Sequence, residues 1–97
     1  MVAREIAKEQ QELKENIYGA LEKLSKGEKI PMPVCRPLFS IEKGLYELRF
    51  SYQAGEYRVY YYIKIQDALY VIHAMQKKSQ KIVPRVRDLL KFRIRSL

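Results

Sequence analysis

The sequence predicts an α+β fold, with an amphipathic N-terminal helix and a C-terminal helix packed on one face of an antiparallel sheet of three strands, or four. Two observations carry this. Residues 44–65 hold two runs in which aromatic and β-branched residues alternate with charged and hydroxyl-bearing ones, the period of a half-buried strand. Both ends of the chain instead repeat apolar residues at helical spacing. With 97 residues, the chain makes a single domain over 1–97.

Residues 4–25 align Ile6, Leu13, Ile17, Ala20, Leu21 and Leu24 on one side, a helix ended near Gly27 and weakened at Gly19. Pro31, Pro33 and Pro37 lie within seven residues, so 27–43 reads as an extended connector. Val34, Leu38, Phe39 and Ile41 tack it to the core, and Cys35 is a small buried or half-buried filler. The sheet takes 44–76. Its first strand alternates Tyr46, Leu48, Phe50 and Tyr52 with Glu47, Arg49 and Ser51. After a Gln53-Ala54-Gly55-Glu56 turn, the second alternates Tyr57, Val59, Tyr61 and Ile63 with Arg58, Tyr60, Tyr62 and Lys64. A third, Leu69 to Met75, follows Gln66-Asp67. Pro84 opens the last helix, about 84–96, where its missing N–H costs nothing. Val83, Val86, Leu90 and Leu97, with Leu89 and Ile94 beside them, mark the inner side of that helix, and Arg85, Arg87, Lys91, Arg93 and Arg95 fill the rest.

The formal charge is +8 and unevenly spread. Residues 1–30 balance six basic against six acidic side chains, whereas 77–97 hold eight basic and one acidic. Such an excess points to a polyanion, nucleic acid first and anionic membrane second. A solvated helix face accounts for it equally well. One cysteine excludes an internal disulfide and makes a reducing cytoplasm the expected compartment. One Cys and one His exclude a structural zinc site, and no metal or other cofactor is expected. Residues 1–9 are charged throughout and lack a signal core, and no window approaches the roughly 18 apolar residues of a membrane span.

If Gln53 to Glu56 close the first hairpin, Tyr52 faces Tyr57, Ser51 faces Arg58, Arg49 faces Tyr60 and Glu47 faces Tyr62. If Gln66-Asp67 close the second, Tyr62 faces Val71, Tyr60 faces His73 and Arg58 faces Met75. Opposed residues share a face. One face then gathers Glu47, Arg49, Ser51, Arg58, Tyr60, Tyr62 and His73, with no acidic partner beside Arg58. The other gathers Tyr46, Leu48, Phe50, Val59, Tyr61, Ile63, Tyr70, Ile72 and Ala74 and meets the helices. Guanidinium groups bind phosphate bidentately, tyrosine rings stack on bases, and histidine titrates near neutrality. The bland reading is that the arginines cover tyrosine rings and His73 is the satisfied neighbour of a tyrosine. On residues alone, groove binding ranks ahead of catalysis.

Three segments in order carry a resemblance: Gly44-Leu45-Tyr46-Glu47-Leu48-Arg49, then Tyr57-Arg58-Val59-Tyr60-Tyr61, then Ile72 to Lys81 with its Lys77-Lys78-Ser79-Gln80-Lys81 end and Pro84. Over roughly residues 17–90 the chain resembles the phage-derived HigB-like branch of the RelE/ParE toxin superfamily. The resemblance implies a RelE-like fold and a ribosome-dependent endoribonuclease that cuts mRNA in the ribosomal A site without a metal ion. It implies contact with ribosomal RNA and inhibition by an adjacently encoded antitoxin, a helix-turn-helix protein. Matching catalytic positions are Arg49, Arg58 and Lys78 with His73 and Tyr60, and RNA contacts fall to Lys64, Lys77, Lys81 and Tyr62. Family members begin with a short strand before the first helix, whereas this sequence reads as starting in the helix, so an edge strand is expected to be missing. The implied chemistry is attack of a ribose 2′-hydroxyl on its own 3′-phosphodiester. The alternative is a non-enzymatic toxin, such as a gyrase-inhibiting ParE-like protein, or an RNA-binding module on the same fold.

Overall fold

The computed structural model describes residues 6, 11–30, 34–52, 55–64, 68–77 and 82–97, with Lys77 described by its backbone only. The order is α1 (Gln11–Ser25), β1 (Cys35–Pro37), β2 (Leu45–Tyr52), β3 (Gly55–Ile63), β4 (Leu69–Lys77) and α2 (Pro84–Arg95). The predicted α+β class holds: two helices accompany a four-stranded antiparallel sheet in the order β1-β2-β3-β4. Ile6 is helical and buried, and the rest of the predicted start of the first helix lies outside the described residues.

In α1, Leu13 and Ile17 are buried one turn apart, which is what a one-sided apolar stripe requires. The helix closes where expected. Gly27 takes φ 84°, and the Glu28 N–H reaches back to the Lys23 carbonyl at 3.0 Å, a Schellman ending that a residue with a Cβ would strain. The connector, expected to be merely extended, supplies the fourth strand. Cys35 pairs with Leu48 and Pro37 with Tyr46, at a sheet edge where proline's missing donor leaves no ladder bond unmade.

The helices do not share a face, contrary to the sequence expectation. α1 and Ile6 pack against Leu48, Phe50, Tyr57, Val59, Tyr61 and Ala74. α2 places Val86 and Leu90 against Leu45, Tyr60 and Ile72 on the opposite side, closed by Leu38. The reason is a bulge. Tyr60 pairs with His73, yet the next residue, Tyr61, pairs with Val71, so Ile72 is the extra residue of β4. The bulge turns Ile72 onto the second face and sets Tyr70 opposite Tyr62, although simple alternation assigns both to the first. With Leu45 and Tyr60 they make half of the second face apolar. Burying Val86 and Leu90 there contributes roughly 1.5–3 kcal/mol each.

Gly44 precedes β2 with φ 94°, and a Cβ on it would lie 2.9 Å from the Ile63 carbonyl oxygen and 3.2 Å from the Tyr62 ring. Gly19 sits inside α1 with open space around it. Gly44→Ala is therefore expected to lower stability by more than about 1 kcal/mol, and Gly19→Ala to raise it by about 0.5–1 kcal/mol. Thermal melting of the two variants beside the parent checks both signs.

Candidate functional site

The second sheet face is apolar under α2 and charged beyond it. β2 and β3 pair with Glu47 opposite Tyr60, Arg49 opposite Arg58, and Ser51 opposite Glu56. This is two residues tighter than the predicted register, and Tyr52 faces Gly55 rather than Tyr57. A shift of two preserves which face each side chain takes, so Arg49, Arg58, Tyr60 and His73 are indeed brought to one face. What changes is who meets whom.

Arg58 is the sharpest correction. Expected to stand without a carboxylate, it is fully buried and held by two. Its NH1 donates to Glu47 Oε1 at 2.9 Å and its NH2 to Glu56 Oε1 at 2.6 Å. Glu56, two residues away along β3, necessarily points to the same side. The sequence reading had placed Glu56 in the turn. Glu47 is itself fully buried, and the guanidinium groups of Arg49 and Arg36 approach the same oxygen, Oε1, at 3.6 and 3.7 Å. Three guanidiniums thus converge on one carboxylate, and two arginines can stand directly opposite each other only because it lies among them. The side chains of Arg49 and Arg36 stay 21% and 37% exposed, so they form the solvent-facing edge of the cluster.

Toward α2, Tyr60 is fully buried and its ring stacks on His73, with centroids 6.0 Å apart and planes at 20°. Burial, followed by the charge of Glu47, pushes the Tyr60 phenol well above its ordinary range. It stays protonated at physiological pH and is no proton acceptor. His73 is half-buried, and Arg93 NH1 lies 3.2 Å from its Nδ1 while donating to the Ile72 carbonyl at 2.6 Å. Sequence reasoning left Arg93 among the solvent-facing cations of α2. Helical spacing from Val86 and Leu90 was the signal that puts it on the inner side.

Tyr62 is half-buried against the α2 cluster. Lys64 is at the far end of β3, and its Nζ donates to the Leu97 carbonyl at 3.0 Å. The Lys77 backbone pairs with Glu56 at the end of β4, beside the arginine cluster. The Lys77 side chain, Lys78 and Lys81 lie outside the described residues. Cys35 belongs to the other face, with Sγ 3.1 Å from the Tyr61 hydroxyl, and burial pushes its thiol up and away from reactivity. Among the described residues no group of three His, Cys, Asp or Glu side chains could hold a metal ion, and no helix is long and apolar enough to cross a membrane.

A four-stranded antiparallel meander with a helix on each face and a partly exposed arginine edge over a buried ion pair defines a small α+β domain. Residues 4–94 match the family model of phage-derived Gp49-like proteins (DUF891), and the chain belongs to that family. Neither the curated proteins nor the solved structures yield a match to it.

Removing Arg58 would strand Glu47 without its nearest counter-charge in a dry site. Arg58→Ala is expected to cost about 3–5 kcal/mol, not the small change usual at a surface. The double variant Arg58→Met/Glu47→Leu should recover much of that loss. Chemical denaturation of the single and double variants checks both, and a single variant as stable as the parent would contradict the burial.

Proposed function

We propose that the chain is the toxin of a type II toxin–antitoxin pair, of the HigB-like kind within the RelE/ParE superfamily. Its activity would be ribosome-dependent and metal-independent cleavage of mRNA in the cytoplasm. Membership of the phage-derived Gp49-like family and the motif resemblance support the class. The observation that carries the chemistry is the partly exposed Arg36–Arg49 edge, held in place by the buried Glu47–Arg58 pair and its part-buried partner Glu56.

In this reading a ribose 2′-hydroxyl gives up its proton to water and its oxygen attacks the adjacent phosphorus. The bond to the 5′-oxygen breaks and that oxygen takes a proton from water, so that a 2′,3′-cyclic phosphate and a 5′-hydroxyl end result. The phosphorane carries more charge than the ground state. Donors already aimed at its oxygens therefore lower the barrier without rearranging. Arg49 and Arg36 supply those donors. Arg58, spent on two carboxylates, holds their shared counter-ion in place instead of touching phosphate. Tyr60 packs under His73. Lys77, Lys78 and Lys81 keep the phosphate-contact role that the resemblance implies, as part of the basic run that starts at the end of β4. The partners are mRNA in the ribosomal A site, ribosomal RNA, and a helix-turn-helix antitoxin that covers Arg36 and Arg49.

One observation favours a second reading. Two of the five catalytic candidates, Arg58 and Tyr60, are sealed from solvent, which suits a non-cleaving inhibitor on the same fold. Primer extension on mRNA from cells expressing the protein separates the two. Cuts within coding sequence support the nuclease, whereas intact mRNA with lost DNA supercoiling supports the gyrase-type inhibitor. On the nuclease reading, Arg49→Ala slows cleavage by on the order of 10²-fold. Its melting should shift by no more than about 1 kcal/mol, since Arg58 and Arg36 still neutralise Glu47. Ribosome or RNA binding should also weaken steeply with added salt, because neutralised phosphates release counterions. Affinity indifferent to salt would make the charge merely solubilising.

A further inference from the structure

Arg93 ties α2 to the irregular point of β4. One nitrogen, NH1, donates to the carbonyl of Ile72, the extra residue of the bulge, and meets the Nδ1 of His73. A guanidinium offers only N–H donors and keeps its charge at any ordinary pH. Nδ1 must then be the acceptor, so the proton of the neutral ring sits on Nε2. The stacked Tyr60 fixes the plane of the ring from its other side. Tautomer and orientation are thereby both set by groups outside the charged cluster.

We propose that Arg93 is a positioning residue that holds His73 in its neutral Nε2–H form, so that His73 meets the RNA phosphate as a hydrogen-bond donor and not as the base. The role rests on the nuclease reading above. A base would need an unprotonated nitrogen aimed at the 2′-hydroxyl, and the unprotonated nitrogen of this ring is committed to Arg93. A neutral donor has the opposite merit. Its N–H bond to a phosphorane oxygen strengthens as charge builds there, and no proton has to move. The sequence offers His73 as a group that titrates near neutrality, and the Arg93 contact argues for its use as a donor.

The chain has a single histidine, so a long-range proton–nitrogen NMR spectrum shows one imidazole. At about pH 8, above the unperturbed histidine pKa of about 6.5, the parent should show a protonated Nε2 and a bare Nδ1. Arg93→Ala should drift toward the averaged signals of a free imidazole. A parent ring with the proton on Nδ1, or averaged between the two nitrogens, would overturn the proposal. The spectrum needs no activity, so it stands or falls apart from the nuclease reading.

Cleavage provides the second arm. His73→Gln retains an N–H donor and should stay within about 10-fold of the parent, whereas His73→Ala should lose on the order of 10²-fold. Arg93→Ala, which misplaces the ring, should lose about 10- to 100-fold. A His73→Gln protein as inactive as His73→Ala would show that the ring is needed as a base and would sink the donor role. Neither the parent spectrum nor the His73 pair depends on Arg93→Ala folding. A parent that leaves mRNA intact would remove the nuclease reading and the catalytic role of His73 with it, while the tautomer would still be read from the spectrum.

Discussion

The fold depends on one carboxylate, that of Glu47, enclosed without solvent contact among three guanidinium groups. Taking two charges out of water costs several kcal/mol per ion, so such a pair persists only where short, directed hydrogen bonds offset the loss. The 2.9 Å Arg58–Glu47 and 2.6 Å Arg58–Glu56 contacts meet that condition. They also fix the pairing of β2 with β3. A slip of one residue would turn one of the two strands over and carry its charge into the Leu48, Val59 and Tyr61 side of the sheet, away from its partner. The ion pair therefore selects a register more than it adds stability.

That register positions everything else on the face. Glu47 opposite Tyr60 sets the tyrosine beside the carboxylate, and Tyr60 opposite His73 stacks the two rings. The bulge then lets Ile72 face α2, whose Val86 and Leu90 seal the apolar half of the surface. The charged half is left uncovered by α2. A helix laid over the whole face would have buried Arg36 and Arg49, and a helix on neither half would have exposed Leu45 and Tyr60. The candidate site is what remains of one sheet face after a twelve-residue helix has taken its share.

Much of this was legible in the sequence, for reasons that also explain what was not. Strands β2, β3 and β4 announce themselves because alternation survives any shift of two residues, so the side-chain set of the charged face survives too. The pairing itself depends on turn length, and Gln53 to Glu56 read equally well as a turn of four residues or as a shorter one flanked by strand. Assigning Glu56 to the turn hid the second partner of Arg58. The bulge left no mark, because Tyr70, Ile72 and Ala74 alternate as regularly as an unbroken strand. Three prolines disguised β1, although an edge position tolerates Pro37. Arg93 was readable from helical spacing but was grouped with its like-charged neighbours.

Charge counted along a sequence is not charge available to a ligand. Arg58 looks free when its neighbours are read in order, and in space it is the most committed cation on the face. Its commitment bears on function by a different route. Arg49 and Arg36 lean on the same oxygen of Glu47, so the group that fixes Glu47 also limits how far their guanidiniums can wander. Donors restrained before a substrate arrives need little reorganisation when negative charge develops, which is where electrostatic catalysis gains most. A lysine in place of Arg58 could meet one carboxylate but could not span Glu47 and Glu56 with a planar fork. The buried arginine therefore shapes the exposed ones, and the anion-binding character of the open edge follows from an ion pair that no anion reaches.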